Sequence, residues 1–395
     1  MRPTAADGDE GKDDVGTGEL GGRDGPGHGG GGGRTCGGGT VRAGRPRPSR
    51  GDPGGGPGTR RGRGARRDGD RARAGGHLEH HGGHGRPAHR PPARAHDRYR
   101  VGSITKTFTA TVLLQLEAEG RLSLDDTVEH WLPGVVRGHG NDGSRITLRQ
   151  LLNHTSGLYN YTADDTFDRT YFEKDGFLEH RYDTVPAEDL VRIAVSHAPD
   201  FAPGTSWQYS NTNYVLAGLV IGRVTGRSYA DEIRDRVLRP LHLNATSLPG
   251  TRTTVPHPSG RAYSKLADKA TGPTYDVTAL NPSIASSAGE MISDSADLTR
   301  FYTALLRGRL LPPEQLEEMK TTVRDTGDPH IAYGLGLMDR RLSCGVHVWG
   351  HDGGIHGSSS LAATTADGRH ALALNLNADW TGDPETVLEA EFCGR

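Results

Sequence analysis

Hydrophobic residues are spread unevenly along this chain. From Met1 to about His96 aliphatic side chains are nearly absent, whereas from Asp97 onward they recur with the periods of regular structure. After Ser103, Phe108, Val112, Leu113 and Leu116 fall at helical spacing and Gly120 supplies a stop, which predicts an amphipathic helix. Val215-Leu-Ala-Gly-Leu-Val-Ile221 reads as a buried helix, and Ala371-Leu-Ala-Leu-Asn-Leu376 alternates as a strand. No internal repeat is apparent, and no apolar stretch is long enough to span a bilayer. The pattern predicts one large domain of two subdomains over residues 98–395, behind an arm over 1–97 that cannot form a core.

Composition changes this picture little. Hydrophobic content is only 33% because the arm, rich in Gly, Arg, Pro, Asp and His, dilutes it. With 47 basic and 49 acidic side chains and a net charge of -2, the whole chain shows no bias toward nucleic acid. Arg60-Arg-Gly-Arg-Gly-Ala-Arg-Arg67 has the look of a segment that tracks nucleic-acid backbones, but the aromatics that stack on bases are missing. His77, His80, His81 and His84 have metal-binding side chains, but a glycine-rich coil gives them no outer support to orient them. The expectation is therefore no nucleic-acid partner, no metal and no organic cofactor.

The candidate chemistry begins at Tyr99-Arg-Val-Gly-Ser-Ile-Thr-Lys-Thr-Phe-Thr-Ala110. A helix starting here sets Ser103 and Lys106 one turn apart on one face, with an amine in hydrogen-bond reach of a hydroxyl. A serine hydroxyl is a poor nucleophile at neutral pH, so a base must take its proton. Lys106 serves only as a neutral amine, which requires burial or nearby positive charge. Tyr209, in Tyr209-Ser-Asn211, is the other candidate base, and the two are expected to share the proton. Asn211 has an amide able to accept from Lys106 and donate to a substrate carbonyl. His351, in Trp349-Gly-His-Asp-Gly-Gly-Ile-His-Gly357, completes the set. Taken singly, Tyr209 also reads as a core ring beside Trp207 and Tyr214, and His351 as a satisfied histidine in a glycine-rich turn.

The series Ser-x-x-Lys, Tyr-x-Asn, His-x-Gly resembles the serine penicillin-recognising hydrolases: class C β-lactamases, D-alanyl-D-alanine carboxypeptidases and related esterases. The likeness is strongest to the secreted carboxypeptidase of actinomycetes. It runs from about Asp97 to the last residue and includes Ile146-Thr-Leu-Arg-Gln-Leu-Leu-Asn-His-Thr-Ser-Gly-Leu158, Ala285-Ser-Ser-Ala-Gly-Glu-Met-Ile-Ser293 and Tyr333-Gly-Leu-Gly-Leu337. The resemblance implies an α/β (α+β) fold of the β-lactamase/transpeptidase type, an antiparallel sheet flanked by helices plus a mostly helical subdomain. It implies an acyl-enzyme on Ser103, helped by Lys106, Tyr209, Asn211 and His351. His351 would stand on a sheet-edge strand with an electrostatic and orienting role, leaving-group proton transfer being open to it. The oxyanion donors would be the N–H groups of Ser103 and Gly354, beside Gly353 of the motif. His154 looks structural in the family.

The implied activity is D-alanyl-D-alanine carboxypeptidase-like, on a D-amino-acid peptide, an ester or a β-lactam. An esterase or β-lactamase is the alternative within the fold, and an inactive or binding homologue is the alternative outside enzymes. Two departures bear on substrate. Where the carboxypeptidases hold the substrate's terminal carboxylate with an arginine and a threonine, this chain has Met338 and Gly354. Asp352 further replaces a threonine and adds negative charge. Like charges a few Å apart disfavour each other by roughly 1 kcal/mol or more, and of Arg340 and Arg341 alternation lets only one face the site easily. Weakened turnover of free-acid peptides and a drift toward neutral esters or amides are expected.

By the same resemblance Cys344 and Cys393 form a disulfide, an extracellular feature, whereas Cys36 has no partner. Yet residues 1–20 are acidic and polar, with no signal-peptide core. The family's phrase of the type Gly-x-Ala-Asp-Leu-x-Thr-Gly-x-Pro before the serine is also missing. Back-translating His77–Pro92 with GC-rich codons and reading one nucleotide on can restore it, which points to a frameshift just before Tyr99.

Overall fold

Eleven of the fourteen residues of the helix Thr105–Ala118 (α1) are buried, on every side of the helix. The expected amphipathic helix is thus a central one. Its threonines explain why a pattern of alternating polarity has no solvent face. Thr105 donates to the Gly102 carbonyl, Thr107 to Gly336, Thr109 to Ser287 and Thr111 to Thr107, at 2.7–2.9 Å, so their hydroxyls are satisfied inside the protein. Phe108 stacks on Phe301 at 3.7 Å between ring centres.

The computed structural model of the chain describes residues 96–267, 271–323 and 326–394. Nearly all of the 1–97 arm lies outside them, including Cys36, the Arg60–Arg67 run, His77, His80, His81, His84 and the segment read as frameshifted.

Around α1 stand three further helices that place the site. Leu148–Leu152 (α2) starts at a capping box in which Thr147 and Gln150 satisfy each other's main-chain N–H. Asn211–Thr225 (α3) is the buried helix expected after Asn211, and Ser295–Leu306 (α4) is capped by Asp294.

The five-stranded antiparallel sheet comprises Ile331–Tyr333 (β1), Met338–Arg341 (β2), His347–Ile355 (β3), Ser358–Thr365 (β4) and Ala371–Leu376 (β5), in the order β5-β4-β3-β2-β1. The helix Pro384–Cys393 (α5) follows. Alternation sorts the side chains. Val348, Leu361 and Ala363 join Leu388 of α5 on one face, while Trp349 and Ala362 join the main core on the other. Cys344 and Cys393 are joined, which pins the end of α5 beside the β2–β3 turn.

The chain enters the site through another ladder. Tyr99–Arg100 pairs antiparallel with Ile292–Ser293, and the Arg100 and Val101 carbonyls accept from Ser358 and Ser360 of β4 at 2.7 and 3.0 Å. This holds the residues just before Ser103 against the sheet. The fold matches the expected antiparallel sheet flanked by helices.

Candidate active site

Ser103 lies in a single 3-10 turn, Gly102–Ile104, that leads into α1. The turn fits closely against β3. A Cβ on Gly102 (φ 52°) would come within 2.8 Å of the Gly354 main chain, and one on Gly353 within 2.0 Å of the Val101 carbonyl and 3.0 Å of the Ser103 nitrogen. Glycine at 102 and 353 is therefore what lets the main chains of Ser103 and Gly353–Gly354 meet.

Lys106, one turn on, is fully buried. Its Nζ is 2.9 Å from Ser103 Oγ, 2.7 Å from Asn211 Oδ1 and 2.8 Å from the Ala288 carbonyl. Burial pushes the Lys106 amine well below its usual range, although the Asp352 carboxylate opposes this. A neutral amine fits these neighbours. The amide oxygen of Asn211 and the Ala288 carbonyl can only accept, so they take its two N–H groups and leave the lone pair toward the Ser103 hydroxyl.

Tyr209 stands beside the same group, close enough for Ser103 to act on its hydroxyl, and its ring centre lies 4.8 Å from Lys106 Nζ. Burial raises its pKa, so the phenol keeps its proton. Asn211 is the first residue of α3, where its N–H meets Asn160 Oδ1 at 3.0 Å and its side-chain nitrogen meets Thr162 at 3.3 Å. The pair Ser103 and Lys106 and the pair Tyr209 and Asn211, more than 100 residues apart in sequence, form one cluster.

His351 stands where β3 becomes a local edge of the sheet. Its strand β3 is the middle one of five, but β2 pairs only with residues 347–350. From His351 to Ile355, β3 has β4 on one side and no strand on the other among the described residues. The strand is therefore an edge only where it passes the serine. His351 Nδ1 faces the Asp352 carbonyl at 2.6 Å and Nε2 faces the Tyr333 hydroxyl at 2.9 Å. A carbonyl only accepts, so Nδ1 carries the proton and Nε2 accepts from Tyr333. Burial lowers the His351 pKa to about 4. The ring is thus neutral with both nitrogens engaged, its one proton directed to the Asp352 carbonyl.

Asp352 alternates with His351 along β3, yet its carboxylate comes within 3.6 Å of His351 Nδ1. Its carboxylate is half exposed and is held by Arg340, whose other arm holds Glu385 of α5. Of the two arginines weighed from sequence, Arg340 is the one that reaches the site's edge. Met338 lies 3.6 Å from the same guanidinium.

The sequence reading passed over the Ala288 carbonyl, Asn160 and Tyr333. Each lies in or beside a stretch that stood out as a family landmark, but a main-chain carbonyl or a second-line hydroxyl carries no residue-type signature. Among the described residues no group of three or more His, Cys, Asp or Glu side chains is arranged to hold a metal ion, and no helix is long and apolar enough to cross a membrane.

Residues 66–389 match the profile of the Beta-lactamase family. A D-stereospecific amidohydrolase from Streptomyces sp. is 64% identical in sequence, with a TM-score of 0.74 over 76% of this chain and 88% of that one. The D-amino acid amidase from Ochrobactrum anthropi SV3, complexed with D-phenylalanine, is 31% identical, with a TM-score of 0.63 over 74% of this chain and 80% of that one. A penicillin-binding protein of Bacillus subtilis (strain 168) is 28% identical over 329 residues, which are 79% of this chain and 68% of that protein.

Proposed function

Because the chain belongs to the Beta-lactamase family of serine penicillin-recognising hydrolases, we propose that it cleaves the amide bond next to a D-amino-acid residue when the leaving group is uncharged, through an acyl-enzyme on Ser103. The chain is a serine hydrolase. An amidohydrolase is a better reading than the D-alanyl-D-alanine carboxypeptidase expected from sequence. The likeness to a D-stereospecific amidohydrolase and a D-amino acid amidase supports it. The observation that carries it is the half-exposed Asp352 carboxylate at the free edge of β3, which shares its one arginine with Glu385. Two carboxylates on one guanidinium leave net negative charge, which opposes a free carboxylate on the leaving group and tolerates a neutral amide.

Lys106, as a neutral amine, takes the Ser103 proton while Oγ attacks the acyl carbon. The carbonyl oxygen gathers charge beside the Ser103 and Gly354 N–H groups. The Tyr209 phenol donates its proton to the departing nitrogen, and the Lys106 ammonium returns one to Tyr209. Ser103 is then acylated, an amine or ammonia has left, and Lys106 is neutral again for the attack of water. His351, Asn211 and Gly353 orient this set. The hydrolase is assigned to residues 98–395, and the Cys344–Cys393 disulfide supports a setting outside the cytoplasm.

The test compares kcat/KM for a D-amino acid amide, its L enantiomer and a peptide of the same D-residue ending in a free carboxylate, with intact mass recorded for the native protein and Ser103→Ala. Preference for the D-amide, with an adduct only on the native protein, is expected. A preference for the free-acid peptide would restore the carboxypeptidase reading, and absence of any adduct or product would restore the binding homologue.

A further inference from the structure

His154 follows α2 and is fully buried. Three hydrogen bonds tie it to the segment carrying Tyr209. Its carbonyl accepts from the Gln208 N–H at 3.1 Å, and its Nδ1 accepts from the Ser210 N–H at 3.2 Å and from the Asn213 amide at 3.1 Å. The residues on both sides of Tyr209 thus bond to one histidine. Its ring also lies against the Tyr209 ring, 4.3 Å between centres and tilted by 36°.

The tautomer follows from the partners. Asn213 Oδ1 accepts from Ser156 at 2.6 Å, which turns the Asn213 NH2 group toward His154. With two donors at Nδ1, the ring proton sits on Nε2. Among the described residues that nitrogen has no hydrogen-bond partner; the Tyr333 ring stands edge-on to the histidine at 4.7 Å and the Trp207 ring at 6.0 Å. The backbone is left-handed here, with φ 62°, a conformation that costs a non-glycine residue free energy. A buried donor without a conventional partner and a strained backbone are both unfavourable, and such features persist where surrounding structure and function require them.

Resting on the reading of Tyr209 as proton donor, we infer that His154 is a positioning residue that sets the Tyr209 ring against Ser103 and Lys106 for proton delivery to the leaving nitrogen. An amide needs that proton. A p-nitrophenyl ester does not, since its phenolate leaves unaided.

The test is therefore a ratio. kcat/KM is measured for a D-amino acid amide and for the p-nitrophenyl ester of the same acyl group, with His154→Phe, His154→Asn and Tyr209→Phe. His154→Phe keeps a ring but no acceptor; His154→Asn keeps an acceptor and tolerates positive φ. The expected result for His154→Phe is an amide-to-ester ratio lower by about tenfold or more with ester turnover within about threefold, and a smaller fall for His154→Asn. Because it is a ratio, loss of folded protein cancels. A fall in both rates together, with the ratio unchanged in both His154 variants while Tyr209→Phe lowers it, overturns this inference alone. An unchanged ratio in Tyr209→Phe overturns the donor role of Tyr209, and this inference with it.

Discussion

Lys106 Nζ and the main-chain carbonyl of Ala288 meet at 2.8 Å across 182 residues of sequence. With Asn211 Oδ1, that carbonyl fills the donor capacity of a neutral lysine, so the remaining lone pair belongs to Ser103. Lys106→Arg puts a permanently charged group in the same place. kcat/KM for amide hydrolysis is expected to fall by about 10²-fold or more, measured under conditions where circular dichroism matches the native protein.

The same amine sets the acid limb of the pH profile. Burial lowers the Lys106 pKa, so the ammonium is the form that accumulates as pH falls. Activity is expected to rise with pH through that depressed pKa and to plateau above it. Asp352 opposes the shift, so Asp352→Asn moves the limb to lower pH. A limb that stays in place in Asp352→Asn would show that another group controls it.

Asp352 also governs the leaving-group side of the proposed selectivity. Asp352→Asn is expected to raise kcat/KM for the free-acid peptide relative to the amide by about fivefold to tenfold, the equivalent of roughly 1 kcal/mol of relieved repulsion. Competition between the two substrates in one reaction, followed by mass spectrometry, reads this ratio directly.

Two buried histidines predict acid sensitivity. Burial lowers the pKa of His351 and of His356 to about 4, from an unfolded value of 6.5. The unfolded chain therefore binds these protons first, and stability is lost as pH falls from 6.5 toward 4, by about 3 kcal/mol at most for each. His356 lies between the Phe172 and Phe177 rings, at 5.0 and 4.4 Å. His356→Phe is expected to flatten part of the decline in urea unfolding free energy over that range.

Removing the disulfide tests how α5 is held. The 49-residue separation of Cys344 and Cys393 corresponds to about 4 kcal/mol of chain entropy. Cys344→Ser with Cys393→Ser is expected to lower Tm by several degrees, and an unchanged Tm would mean that Leu388 and its apolar neighbours hold the helix alone.

Much of this protein was legible in its residue order. Hydrophobic periodicity located α1, α3 and β5, because helix and strand periods are local properties of a chain. The motif residues Ser103, Lys106, Tyr209 and Asn211 were named from sequence and come together in the structure. Periodicity misread the surroundings of α1, since threonines bonded to main-chain carbonyls look polar in sequence and behave as core.

What the sequence determined by itself was the membership of the cluster and the kind of chemistry it holds, because a nucleophile and its base must be particular residue types. What only the tertiary structure decided was their state. The lowered pKa of Lys106 depends on burial, and the aim of its lone pair depends on a carbonyl 182 residues away. The occupied nitrogens of His351 depend on Tyr333, and the grip of His154 on the Tyr209 segment depends on a left-handed turn after α2. Protonation and ring angle are set by whichever groups the fold brings within 3 Å, and nearness in space is not written in nearness along the chain.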